Sequence, residues 1–307
     1  MNKNDQNTRR NFLKTASSLA AVAMVEPFFE CVKKTKPLLS FSTLGCPKWS
    51  FETIVTCAAK NGYHGIELRG LQGQLDLTKC PEFSSPARIT ASKKLVVDSG
   101  LKIVDLGASA KMHIADPTKR KIQLDEAKRF MDLAVSLNCP YVRVFPDDLP
   151  KEQDRDETIE LIINGLLELG EYAKGSTVSV LLESHGKVVS KDVLHQIMQN
   201  AEHPHVGLIW DVWNMWSVTK EPPKEVHEKL KKYIRHIHIK DAKLIAGKEQ
   251  YVPIGQGEAP LSEAIKALRK GGYKGYYSFE WEKMWHPDIE EPENVLPFYP
   301  KAMQKYF

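Results

Sequence analysis

The sequence predicts a single (β/α)8 barrel, and three observations predict it. Short β-branched or apolar runs alternate with longer amphipathic stretches eight times after the first 36 residues. Alternation of this kind makes parallel strands joined by helical crossovers. Eight units over roughly 270 residues match the size of a closed (β/α)8 barrel. No linker rich in Pro, Gly or Ser divides the chain, so 37–307 reads as one domain. A doubly wound open sheet is the alternative. No GxGxxG follows the first strand and no Walker loop is present, which weakens it.

The elements follow in order. A strand is expected at 38–43, then a helix at 49–61 that stops at Gly62. The second unit has a strand at 64–69 and a helix at 86–99, opened by Pro86 and closed by Gly100. After a strand at 102–106, the 120–137 stretch carries Ile122, Ala127, Phe130, Ala134 and Leu137 at helical spacing. Strands at 141–145, 178–183, 206–211, 236–240 and 276–280 complete the set. Helices are expected between and after them at 152–173, 191–200, 223–233, 261–269 and 293–306.

Composition excludes several classes. The 307 residues are 42% hydrophobic and 27% charged, ordinary for a globular protein. The net charge of +4 is confined to the first 36 residues, which hold seven basic and three acidic side chains. The remainder carries 36 of each sign, so it lacks the basic footprint of a nucleic-acid binder.

The N-terminus reads as an address. Arg9-Arg10-Asn11-Phe12-Leu13-Lys14 before the mildly apolar run 15–25 resembles a twin-arginine export signal. Ala21-Val22-Ala23 has the small-x-small pattern of a cleavage site. The apolar run is about half the length that spans a bilayer, which argues against a mature transmembrane anchor. Phe28-Phe29-Glu30 before Cys31 lacks the small residues that lipid processing requires. Residues 1–36 are therefore expected to be signal and linker. The barrel is expected to reach the periplasm folded, through the twin-arginine translocase. The five cysteines form no CxxC pair and no disulfide framework, and read as scattered thiols.

In a barrel of this kind, side chains at the C-terminal strand ends converge on one face. Strand five ends Leu182-Glu183-Ser184-His185-Gly186, and strand six ends Trp210-Asp211-Val212-Trp213-Asn214. Strand seven reads His236-Ile237-His238-Ile239-Lys240-Asp241, and strand eight ends Phe279-Glu280-Trp281-Glu282. Each supplies a Glu, Asp or His where an apolar run stops. Burying one such carboxylate alone is costly. Three acids and one imidazole relieve that cost if one divalent cation sits among them. Such a donor set suits manganese, magnesium or cobalt better than a thiolate-loving ion such as zinc.

Together with Gly65-Ile66-Glu67-Leu68-Arg69, these segments are similar to the xylose-isomerase-like TIM barrels, the superfamily of sugar phosphate isomerases and epimerases. The likeness runs from about Leu38 to the C-terminus. It implies Glu183, Asp211, His238 and Glu280 as metal ligands. It also implies Glu183 and Glu280 as the acid–base pair on opposite sugar faces, and His185 and Lys240 as substrate-contacting or acid–base groups. Members of the superfamily are often oligomeric, and nothing in the sequence maps an interface. His236 and His238 share a strand face, and His238 lies nearer the active end. His236 is expected one layer deeper or hydrogen-bonded to a ligand.

Other candidates carry less. Glu67 and Arg143 are expected either to bind sugar hydroxyls or to pair with another charge in the barrel mouth. His113 falls in the loop after strand three. In the Gly255-Gln256-Gly257-Glu258 loop, Gln256 departs from the Gly-Glu-Gly often found in relatives. Five of the six tryptophans (210, 213, 216, 281 and 285) lie near the proposed ligands Asp211 and Glu280. Indole faces stack on sugar C–H faces, so Trp213 and Trp281 are expected to meet the substrate.

These features predict a metal-dependent isomerase or epimerase acting through an enediolate. Export and the absence of a glycine-rich phosphate cradle favour an unphosphorylated sugar or ketosugar. The alternative is a lyase or hydratase on 3-keto sugars or 3-keto-glycosides. A non-catalytic carbohydrate-binding barrel is a third reading. An abasic-site endonuclease is disfavoured by the downstream charge balance and by a single ligand histidine.

Overall fold

Eight parallel strands close on themselves in a computed structural model that describes residues 36–307. In order around the ring they are β1 Leu38–Ser42, β2 Gly65–Leu68, β3 Lys102–Lys111, β4 Tyr141–Phe145, β5 Ser179–Glu183, β6 Val206–Asp211, β7 Ile234–Ile239 and β10 Tyr276–Phe279. The helices are α1 Phe51–Lys60, α2 Pro86–Asp98, α3 Pro117–Leu137, α4 Arg155–Tyr172, α5 Lys191–Asn200, α6 Val212–Thr219, α7 Pro223–Leu230, α8 Leu261–Lys270 and α9 Pro292–Met303. β8 Ala242–Ile245 and β9 Lys248–Tyr251 form an antiparallel hairpin outside the ring. The expected export signal and Cys31 lie outside the described residues. Among the described residues no helix is long and apolar enough to cross a membrane.

Local chemistry sets the boundaries. Ser50, Ser85, Asp116 and Asp154 cap α1, α2, α3 and α4 by accepting backbone N–H bonds from the first turn. Pro86 and Pro117 open α2 and α3, where a missing N–H costs nothing. β5 and β6 are buried along their whole length, covered by helices outside and side chains inside. Ile66, Phe41, Leu182 and Ile239 are among the fully buried strand residues. Truncating such a residue to Ala costs about 2–5 kcal/mol.

Three elements differ from the sequence expectation. β3 runs on to Lys111, because α3 side chains satisfy its outer N–H groups. Glu126 Oε1 accepts from Ser109 N at 2.6 Å and Gln123 Oε1 from Lys111 N at 2.9 Å. The short helix α6 begins directly at Asp211, whose Oδ1 accepts from Asn214 N at 2.8 Å. The β8–β9 hairpin carries Lys243, Lys248, Glu249 and Gln250, a charged stretch without strand-like alternation. Cys46, Cys57, Cys80 and Cys139 are free thiols.

Candidate metal centre in the barrel mouth

Four neighbouring strands bring four donor side chains together. Glu183 closes β5, Asp211 closes β6, His238 lies on β7, and Glu280 follows β10. One donor atom from each lies within 4.8 Å of the others, and all four residues are buried. His238 Nδ1 is 3.3 Å from Glu183 Oε1, 3.8 Å from Asp211 Oδ2 and 3.4 Å from Glu280 Oε1. The α6 cap occupies Asp211 Oδ1, and Ser184 Oγ accepts from Asp211 N at 2.9 Å. That leaves Oδ2 turned toward the cluster. Glu183 Oε2 and Asp211 Oδ2 are buried without a hydrogen-bond partner among the described residues.

Lys240 lies against the acids. Its Nζ is 2.9 Å from Asp211 Oδ2, off hydrogen-bond geometry, and donates to Glu280 Oε2 at 2.6 Å and Glu282 Oε1 at 2.7 Å. Burial pushes the Asp211 carboxyl up to about 7 against the pull of Lys240, with Glu280 and Glu183 adding to the rise. Burial lowers the His238 imidazole, but Glu280, Glu67 and Glu183 outweigh it and hold its pKa well above the ordinary range.

One layer deeper, Glu67 Oε2 contacts His236 Nε2 and His238 Nε2, each at 3.1 Å, and accepts from Ser278 Oγ at 3.0 Å. Glu67 is completely buried. Of the two expectations, the structure does not place it at sugar hydroxyls; it pairs with two imidazoles, beneath the mouth rather than in it, and braces the ring whose Nδ1 faces the acids. His236 belongs to that deeper layer. Glu67, His236 and His238 also form a triad with donor atoms within 4.8 Å. It offers one carboxylate, whose Oε2 already meets three side chains, against three carboxylates in the four-residue group, so the latter fits a divalent cation better. An oxygen-rich set with one nitrogen, two orphaned oxygens and full burial matches the needs of such an ion.

The remaining nominated residues scatter. Arg143 Nε approaches Glu183 Oε2 at 3.4 Å. His185 is held at the rim, with Nδ1 2.9 Å from Asp147 Oδ1 and its ring 4.4 Å from that of Phe145. Asp147 Oδ2 also pairs with Lys111 Nζ at 2.5 Å. His113 stands apart, its Nδ1 3.2 Å from the Pro146 carbonyl. Trp213 and Trp281 require a correction. Both are fully buried, and their N–H groups donate to Glu249 Oε1 at 2.8 Å and to the Glu290 carbonyl at 2.9 Å. They pack the loops; Trp285, 49% exposed, is the indole open to solvent at this end.

Sequence reasoning missed Asp147, Glu282 and the purpose of Asp241. Asp147 adopts a left-handed φ of 66°, and Gly186 beside His185 has φ 62°. A Cβ on Gly186 would lie 2.1 Å from the Asp147 carbonyl oxygen, so glycine is required there. The Asp-Asp pair at 147–148 after strand four was the available signal. Asp241 Oδ2 accepts from Gly255 N and Gly257 N at 2.8 and 2.9 Å, and Oδ1 from Ala259 N at 3.0 Å. The glycine loop thus wraps around Asp241 through its backbone, and Gln256 takes no part in that clasp.

A closed barrel with a buried acid–imidazole cluster at its C-terminal mouth defines a class of barrel that can hold a cation where a substrate enters. The chain belongs to the xylose isomerase-like TIM barrel family, whose model matches residues 55–297. It is 26% identical over 254 residues to fructoselysine 3-epimerase of Escherichia coli O157:H7, covering 79% of this chain and 90% of that one. It is 25% identical over 230 residues to inosose isomerase of Halalkalibacterium halodurans, covering 72% and 79%. Among solved structures, the IolI protein with a zinc atom superposes with a TM-score of 0.73 at 20% identity, over 88% of this chain and 99% of that one. The chain is an enzyme of the isomerase and epimerase class.

Proposed function

We propose that this enzyme isomerises or epimerises an unphosphorylated sugar or ketosugar, with one divalent cation held by Glu183, Asp211, His238 and Glu280. The observation that carries the reading is the convergence of these four buried donors at adjacent strand ends. A bound divalent cation supplies Lewis-acid polarisation of a carbonyl and its neighbouring hydroxyl, acidifying the C–H between them. Manganese, magnesium or cobalt suits the oxygen-rich set.

The protein's own groups handle the protons. Glu183 and Glu280 approach the cluster from β5 and from the end of β10, and the family resemblance assigns them to opposite faces of a sugar bound over it. One removes the proton next to the carbonyl to give an enediolate, and the other returns it. Return to the second carbon isomerises; return to the other face epimerises. Lys240 fixes Glu280 through Oε2, and Glu67 fixes the His238 ring. His185, oriented by Asp147, donates a hydrogen bond to substrate at the rim. The twin-arginine segment supports a periplasmic site of action.

Proton NMR in heavy water with manganese and a panel of free ketoses and 3-keto-glycosides tests the reading. Deuterium entering next to the carbonyl, with a new isomer or epimer, is the expected result. An elimination product without an epimer would replace it with the lyase reading. Sugar binding without exchange would mean a non-catalytic barrel.

A further inference from the structure

Two buried guanidiniums lie opposite the acids. Arg69 follows β2 and Arg143 lies on β4, and they are 5% and 1% exposed. β3 passes between them at Gly107. A Cβ there would lie 2.5 Å from Arg69 Cδ and 2.7 Å from Arg143 Nη2, so a glycine lets both side chains converge.

Neither guanidinium is satisfied. Arg69 Nη2 donates to Ser109 Oγ at 3.1 Å, while Nη1 is buried without a partner among the described residues. Arg143 stacks on Phe145, its Cζ 3.8 Å from the ring centroid. Its Nε and Nη1 are buried without a partner, and Nε faces Glu183 Oε2 off hydrogen-bond geometry. Among the described residues, no nearby acid makes a hydrogen bond to these free guanidinium N–H groups. Glu67 is held by two imidazoles and Ser278, and Glu126 accepts the Ser109 N–H. Asp105 Oδ1 and Oδ2 have no partner either, so this carboxyl does not satisfy the arginines. With a cation on Glu183, Asp211 and Glu280 and with Lys240 beside them, the acid cluster has its own countercharge. Paired buried N–H forks of this type match the oxygens of a carboxylate or phosphate.

We infer that Arg69 and Arg143 bind a carboxylate of the sugar, while the carbonyl end lies over the acid cluster. This deepens the reading above and rests on it. A carboxylate agrees with the unphosphorylated substrate proposed there.

The test compares D-fructuronate, D-fructose 6-phosphate and D-fructose, three ketoses that differ at C6. Calorimetric binding to the manganese-loaded protein is paired with deuterium exchange on the same samples. D-fructuronate should bind at least about tenfold tighter than D-fructose, whereas a preference for D-fructose 6-phosphate would overturn both the carboxylate site and the unphosphorylated substrate. Arg69→Met should erase that preference and leave manganese uptake unchanged. Arg69→Lys keeps the charge without the fork and should retain part of the preference, which covers a folding failure of the first variant. Equal binding of all three ketoses, or an equal loss for all three in Arg69→Met, would overturn the inference. Exchange on D-fructose without anion preference would overturn the anion site and leave the isomerase reading standing. Selective anion binding without exchange would do the reverse.

Discussion

The two halves of the barrel mouth are built from the same parallel sheet and carry opposite chemistry. β5, β6, β7 and the end of β10 present three carboxylates and an imidazole. At the mouth β2, β3 and β4 present Arg69, Arg143 and, at the rim, Lys111, with the carboxyls Glu67 and Asp105 buried in register on β2 and β3. The acidic half contains Lys240 and His238, whose imidazole the surrounding carboxylates hold well above its ordinary pKa. The cationic half leaves guanidinium N–H groups unpaired. Like charges crowded in a buried site need a partner from outside. The acidic half thus reads as the grip on a cation and the cationic half as the grip on an anion.

The sharpest way to break this comparison is to remove the acids. Glu183→Gln and Glu280→Gln should each lower deuterium exchange on the order of 10²–10⁴-fold. Asp211→Asn and His238→Ala should lose the metal, read by elemental analysis after gel filtration. If metal and exchange survive in all four, the acidic half is not the centre. Glu67→Gln sharpens the comparison from below. Loosening the brace on His238 should weaken metal affinity about 10–100-fold in calorimetry, with the fold intact by circular dichroism. His236→Ala should weaken metal binding without abolishing it.

Metal uptake should also depend on pH. His238 and Asp211 both have raised pKa values, His238 well above its ordinary range and Asp211 at about 7. Both must shed protons to ligate, so the metal-bound form is favoured as pH rises and loses ground as it falls. Apparent affinity should drop by about tenfold per pH unit for each proton displaced. Calorimetry in two buffers of different ionisation enthalpy counts those protons; a count of zero would contradict the charge assignment.

At the seam between the halves, Asp147→Asn should disturb only the orientation of His185. Turnover should fall by about tenfold with metal content unchanged. The smallest effect is expected for Trp213→Phe. Its indole N–H is spent on Glu249, so KM should change by less than about twofold, and the larger change belongs to sugar-facing residues.

Much of this architecture was legible in the sequence. The eight strands fall within a few residues of the apolar runs, because each is buried on both faces and cannot be polar along its length. Glu183, Asp211, His238 and Glu280 stood out because charged residues end those runs. Their convergence is a property of the closed ring, which the alternation already implies. What stayed hidden depends on distance across the ring. Glu67 meets His236 and His238 over 169 and 171 positions of chain, and no local pattern encodes that pairing. Asp147 reaches His185 from the neighbouring loop, 38 positions away. The tryptophans misled for a physical reason: large rings near a site pack its supporting loops as readily as they face a ligand. α6 was missed because eight residues after a strand end carry too few turns to show a helical period.

The most direct test is anomalous diffraction from a crystal of the mature protein soaked in manganese. A single peak bonded to Glu183, Asp211, His238 and Glu280, with Lys240 displaced from Asp211, is the predicted result. A peak among Glu67, His236 and His238, or none at the mouth, would contradict the account.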